Sequence, residues 1–153
     1  MSIDVVHGAH LPADAPRAFG RAFWRGLRCR CPNCGEGKLF TSYLKVTPAC
    51  SVCGEDYTPQ RADDAPPYFT IFIVGHLVVP PLLYVENHYS PELWIHFLTW
   101  IPLTALLCVL FLQPIKGAVV GWQWAQRMHG FDPTSDEARE TKKLEAARLE
   151  RLG

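Results

Sequence analysis

Between residues 67 and 112 the sequence has no lysine and no arginine, although the whole chain carries 15 of them, eight in residues 1–66 and seven in residues 113–153. So long a gap excludes an ordinary charged surface over the middle third and marks a membrane unit with basic flanks. Methionine is scarce, two in 153 residues, which removes the Met-rich motifs common in copper delivery. No histidine follows either C-x-x-C pair, so covalent haem attachment is excluded. The first fifteen residues lack an apolar run and carry Asp4 and Asp14. No cleavable secretory signal is expected, and the first apolar segment must then direct insertion itself. Net charge is absent as well, 15 basic against 15 acidic residues, which argues against a general polyanion binder. Residues 1–66, with seven acidic and eight basic residues, give no footprint for nucleic acid.

What is present is concentrated in two places. The first is a pair of cysteine knuckles, Cys31-Pro32-Asn33-Cys34-Gly35 and Cys50-Ser51-Val52-Cys53-Gly54, with 15 residues between Cys34 and Cys50. Two C-x-x-C turns at that distance can bring four thiolates to one tetrahedral ion. The glycine after each pair can take the left-handed conformation that closes such a turn, and backbone N–H groups can then donate to the sulfurs. One structural zinc per chain is expected, held by Cys31, Cys34, Cys50 and Cys53. Iron is a possible occupant of the same donors, and four protein ligands leave no open position for catalytic water. Cys29 is expected to be a bystander that could exchange into the set, and Cys108 a packing residue. Thiols at metal spacing suit a reducing cytosol.

The second concentration is a pair of apolar runs. Tyr68–Val85 has 18 residues and Leu93–Leu112 has 20, all without a charge; at about 1.5 Å per residue each reaches across a bilayer core. Asp63 and Asp64 precede two prolines and read as a helix cap or interfacial pair. Gln113-Pro114 is expected to end or bend the second run. The turn Glu86–Glu92 carries no lysine or arginine, so both termini are expected in the cytoplasm. Trp94, Trp122 and Trp124 read as interfacial anchors. Ahead of the knuckles, Phe19, Phe23 and Leu27 recur at helical spacing opposite Arg17, Arg21, Arg25 and Arg28. This is a short basic amphipathic helix, suited to an anionic leaflet or to packing on the cysteine domain. Residues 29–60 are too few and too polar to bury a core of their own, so a metal is expected to supply folding energy.

Two histidines lie in the apolar runs. His76 falls near the middle of the first, beside Gly75 and upstream of Pro80 and Pro81, which remove the N–H partners of the His76 and Leu77 carbonyls. His96 lies four residues into the second. Polar groups at membrane depth are functional candidates. They read as an intramembrane helix–helix contact, or alternatively as ligands of haem or copper.

The chain resembles the bacterial membrane-protein family catalogued as domain-of-unknown-function family 983. The resemblance rests on Cys31–Phe40, Cys50–Gly54, Asp63–Phe69, Phe72–His76, Pro114–Gly117 and Gln123–Ala125, and covers about Cys31 to His129. It implies a zinc-ribbon-like head with two transmembrane helices, and no established activity. Members are often encoded near cytochrome oxidase assembly genes, which implies a role in respiratory-complex biogenesis.

The expected architecture is therefore a membrane protein in four parts. Residues 1–28 carry the amphipathic helix and 29–60 the zinc ribbon of short strands. Residues 63–113 form the transmembrane hairpin, with spans at about 67–85 and 93–112. Residues 114–153 form a cytoplasmic helical tail. The expected setting is the bacterial inner membrane. Its partners are the lipid bilayer and either another integral membrane protein or a second copy. The expected role is that of a non-enzymatic adaptor or assembly factor, with a haem- or copper-handling protein using His76 and His96 as the alternative.

Overall fold

A computed structural model of the chain describes residues 16–128, 130–132, 136, 140, 143–144, 147–148 and 151. Residues 1–15 of the expected N-terminal segment, and most of the expected helical tail beyond Pro133, lie outside the described residues. Helix α1 spans Phe19–Leu27. A short antiparallel hairpin follows, β1 (Phe40–Ser42) with β2 (Lys45–Val46), in which Phe40 faces Val46 and Ser42 faces Lys45. Two long helices complete the order, α2 (Ala65–Tyr89) and α3 (Leu93–Ala125).

Helices α2 and α3 are long and apolar enough to cross a membrane. The most apolar window of α2 is 17% buried and that of α3 is 0% buried, the reverse of a core helix in a soluble domain. Tyr68, Ile71, Leu98 and Leu110 all stand more than half exposed, and continuous apolar surface on this scale needs a non-aqueous covering.

Of the two outcomes expected at Gln113-Pro114, an end or a bend, the end does not occur. Helix α3 continues through Pro114 to Ala125, 33 residues in all, or about 50 Å at ~1.5 Å per residue. That is well beyond a bilayer core of about 30 Å. Its last third is buried, at Ile115, Gly117–Gly121, Gln123 and Trp124. The proline removes one backbone donor, toward the Leu110 carbonyl. Next to it, the hydroxyl of Tyr43 at the tip of the β-hairpin donates to the Val109 carbonyl at 2.5 Å.

The extension of α3 is the core on which the head folds. Ala22, Cys31, Leu39, Cys50, Tyr57, Val119, Val120, Trp124 and Phe131 form one buried cluster. The buried side chains of residues 29–60 join those of α1 and α3 in this one cluster. Helix α1 packs backbone to backbone on α3: a Cβ on Gly26 would collide with the Gly117 carbonyl, and a Cβ on Gly121 with the Ala22 carbonyl. These pairs, with Arg17 at Trp124, run antiparallel. Helix α1 therefore stands alongside α3 instead of lying flat on a leaflet. The face it buries, Ala22 and Gly26, is offset by one residue from the expected Phe19, Phe23 and Leu27 stripe. Small residues win that face because only they permit the close approach.

Candidate metal centre

Each knuckle is a backbone-closed turn. The Gly35 N–H donates to the Cys31 carbonyl at 2.8 Å and the Gly54 N–H to the Cys50 carbonyl at 3.0 Å. Both glycines have positive φ, 81° and 73°, the conformation that side chains disfavour. Antiparallel bridges Arg30 to Lys38 and Ala49 to Asp56 close the two turns at their bases.

The turns face each other and bring the Sγ atoms of Cys31, Cys34, Cys50 and Cys53 within 4.8 Å of one another. Across the turns, Cys31 lies 3.6 Å from Cys53 and Cys34 lies 3.9 Å from Cys50. A tetrahedral ion with metal–sulfur bonds of about 2.3 Å sets sulfur–sulfur edges of about 3.8 Å. The observed spacings bracket that value, so the four cysteines can hold a metal ion. Cys29 and Cys108 are not in the group.

Backbone N–H groups reach three of the four sulfurs, while burial opposes ionisation at Cys31 and Cys53. The Cys34 N–H donates to Cys31 Sγ at 3.4 Å, and the Glu36 and Val52 N–H groups donate to Cys34 and Cys50 Sγ at 3.5 Å each. Burial works against ionisation of Cys50, yet the N–H groups of Cys53 and Val52 outweigh it and bring its thiol down to about 7. Burial dominates at Cys31 and pushes its thiol up to about 11, against the pull of Tyr57 and the Cys34 N–H. The Tyr57 hydroxyl is buried without a nitrogen or oxygen partner among the described residues. It lies against Cys31, where a metal-bound thiolate would accept a hydrogen bond from it. Gly37 completes the wall, since a Cβ there would collide with Cys50 Sγ.

Residues outside the knuckles fasten the cluster to the helices. Glu55, buried at 8% exposure, accepts the Trp124 indole N–H at 2.7 Å and the Asn33 amide at 2.9 Å. Its carbonyl accepts the Cys50 N–H at 2.8 Å. Arg17 lies 4.0 Å from the same carboxylate, stacks over the Trp124 ring at 4.4 Å and donates to the Trp124 carbonyl at 2.6 Å. Burial lowers the Arg17 pKa, with Glu55 opposing. Arg25 donates to the Pro32 and Asn33 carbonyls of the first knuckle. None of this is visible as a motif. The nearest sequence signal was Gly117-x-x-x-Gly121, a small-residue repeat that marks a close helix contact. Trp124, expected as an interfacial anchor, is 3% exposed and belongs to this network. Trp94 and Trp122 are exposed at 63% and 39%.

The two histidines are not brought together. His76 is exposed; its Nδ1 is paired with the Phe72 carbonyl at 2.8 Å and its ring lies on Phe72. His96 Nε2 pairs with Glu86 at 2.8 Å across the turn between the long helices. Glu86 is ten residues beyond His76 on α2, about 15 Å at ~1.5 Å per residue. One metal or haem iron shared within a single chain does not fit that offset. Asp64 occupies the N-cap of α2 as expected, but its side chain makes no capping hydrogen bond. Asp63 instead pairs with Lys116 of α3 at 3.5 Å.

These features define a class, a cysteine-cluster head built on a pair of long apolar helices. The chain belongs to the family described as "Protein of unknown function (DUF983)", whose model matches residues 40–124, more than half of the sequence. The second knuckle, α2 and α3 as far as Trp124 lie inside the match, and Cys31 and Cys34 lie just before it. No curated protein and no solved structure matches the chain.

Proposed function

We propose that this protein is a non-enzymatic membrane adaptor. A zinc-clamped cytoplasmic head is carried on a two-helix hairpin in the bacterial inner membrane, with both termini in the cytoplasm. The observation that carries this reading is the double use of α3, apolar and uncovered in its first two thirds and the core of the head in its last third. Such a helix ties the position of the head to whatever the hairpin packs against. Four thiolates complete a tetrahedral shell and leave no site for substrate or water, so the metal's role is structural.

The hairpin offers the partner face. His76 is exposed, and a Cβ at Gly75 would meet nothing within 4 Å among the described residues. A helix of a larger membrane complex, or of a second copy, can approach closely there. Respiratory oxidase biogenesis is the leading setting for such an accessory factor. Affinity purification from membranes in mild detergent tests the proposal. Integral membrane subunits should co-purify with the wild type and should be recovered in lower yield with His76→Leu. An interhelical hydrogen bond in a membrane contributes about 0.6 to 2 kcal/mol, so the loss should be partial. Isolation of the wild type alone, with normal oxidase assembly in a deletion strain, would refute the adaptor role.

A further inference from the structure

A cleft of about 450 Å³ lies beside the head, where the chain enters α2. That volume falls within the ~300–1,000 Å³ of small-molecule sites. Its walls include Arg61, Asp64, Phe69, Val119, Trp122 and Met128. We infer that this cleft seats the headgroup of an aminophospholipid of the phosphatidylethanolamine type, with the phosphate on Arg61 and the ammonium on Asp64.

Three observations point to that ligand. The first is the charge layout. The Arg61 backbone is pinned to α3 by Gln123, whose Oε1 accepts the Arg61 N–H at 3.1 Å and whose Nε2 donates to the Arg61 carbonyl at 2.9 Å. Its guanidinium is left without a partner among the described residues. Asp63 is committed to Lys116 at 3.5 Å, while the Asp64 carboxylate makes no capping bond and has no other partner among the described residues. Among the described residues the cleft thus presents one free cation and one free anion, complementary to a phosphate joined to an ammonium. A lipid carrying a phosphate alone would satisfy Arg61 and leave Asp64 unpaired.

The second observation is the apolar wall. Phe69 is 43% and Trp122 is 39% exposed, and the buried Val119 shares the wall with them. Trp122, an aromatic side chain with a polar N–H, suits the boundary between headgroups and acyl chains, and Phe69 adds a purely apolar surface beside it. The third is level. Phe69 is the second residue of the apolar run of α2, whereas Arg61 precedes that helix and Met128 follows α3, which in the proposed placement puts both on the aqueous side. A lipid with its headgroup at Arg61 and Asp64 would direct its chains past Phe69 into the bilayer. This inference rests on the membrane placement proposed above; recovery of the wild type in the membrane fraction checks that placement separately.

The test is native mass spectrometry of the full chain in nanodiscs made from an equimolar mixture of phosphatidylethanolamine, phosphatidylglycerol and phosphatidylcholine. The wild type should retain one phosphatidylethanolamine, at least about tenfold over phosphatidylglycerol, as the loss of one charge-assisted hydrogen bond predicts. Arg61→Gln and Asp64→Asn should each lower that retention about tenfold while the zinc content stays at the wild-type level. Equal retention of the two lipids by the wild type would overturn the assignment. So would equal retention by wild type and variants, which is the behaviour of annular lipid. Should either variant lose zinc as well, the preference of the wild type decides the matter alone.

Discussion

Glu55 takes hydrogen bonds from Trp124 and Asn33 on its carboxylate and from Cys50 on its carbonyl, so one residue touches both knuckles and α3. Removing that carboxylate leaves a buried indole N–H and an amide without an acceptor. Glu55→Ala should destabilise the head by about 2–3 kcal/mol, read as a lower denaturant midpoint and faster zinc release to a chelator. Gly37 acts by size, because a methyl group there would press on Cys50 Sγ. Gly37→Ala should weaken zinc binding by about 10–100-fold, as disturbance of a metal's surroundings generally does; chelator competition measures it, and unchanged affinity would show that the wall is slack. The cysteines were legible in the sequence because metal geometry needs a fixed spacing and a glycine in each turn. Glu55 and Tyr57 were not, because a hydrogen bond between residues 69 positions apart leaves no local pattern.

At the level of elements, the contact between α1 and α3 determines how the head is mounted. Gly26, Gly117 and Gly121 bring the two backbones together, and each position would collide with the facing helix if it carried a Cβ. Gly117→Leu should therefore detach α1 and open Arg21, Arg25 and Arg28 to trypsin. Gly20 is the internal control: a Cβ there meets nothing within 4 Å among the described residues, and Gly20→Ala should be neutral or stabilising by up to about 1 kcal/mol. Equal protease sensitivity of the two variants would argue against the glycine contact. Both long helices were legible from their charge-free runs. The end of α3 was not, because Pro114 is a general stop signal whose effect depends on surroundings. Here the helix continues through it, and the β-hairpin packs alongside. The amphipathic stripe of α1 misled for a related reason: hydrophobicity ranks Phe19 and Phe23 as the buried face, whereas close packing selects Ala22 and Gly26.

Across the whole molecule, a cysteine cluster and an apolar hairpin meet on one helix, and neither is self-sufficient. The head takes its core from α3, and the hairpin leaves large apolar side chains uncovered. In the proposed topology, reporters fused to either terminus should read cytoplasmic and a tag inserted within Glu86–Glu92 should read external; an external N-terminus would overturn the orientation. The head should also depend on its ion, since residues 29–60 have no core apart from the one shared with α1 and α3. The most direct measurement is the metal content of the purified full-length protein, determined beside that of a Cys31→Ser/Cys50→Ser double variant. The account predicts about one zinc per chain in the wild type and loss of zinc in the variant, with residues 29–60 becoming protease-sensitive. A wild type without zinc, or a double variant that keeps its full complement, would contradict it.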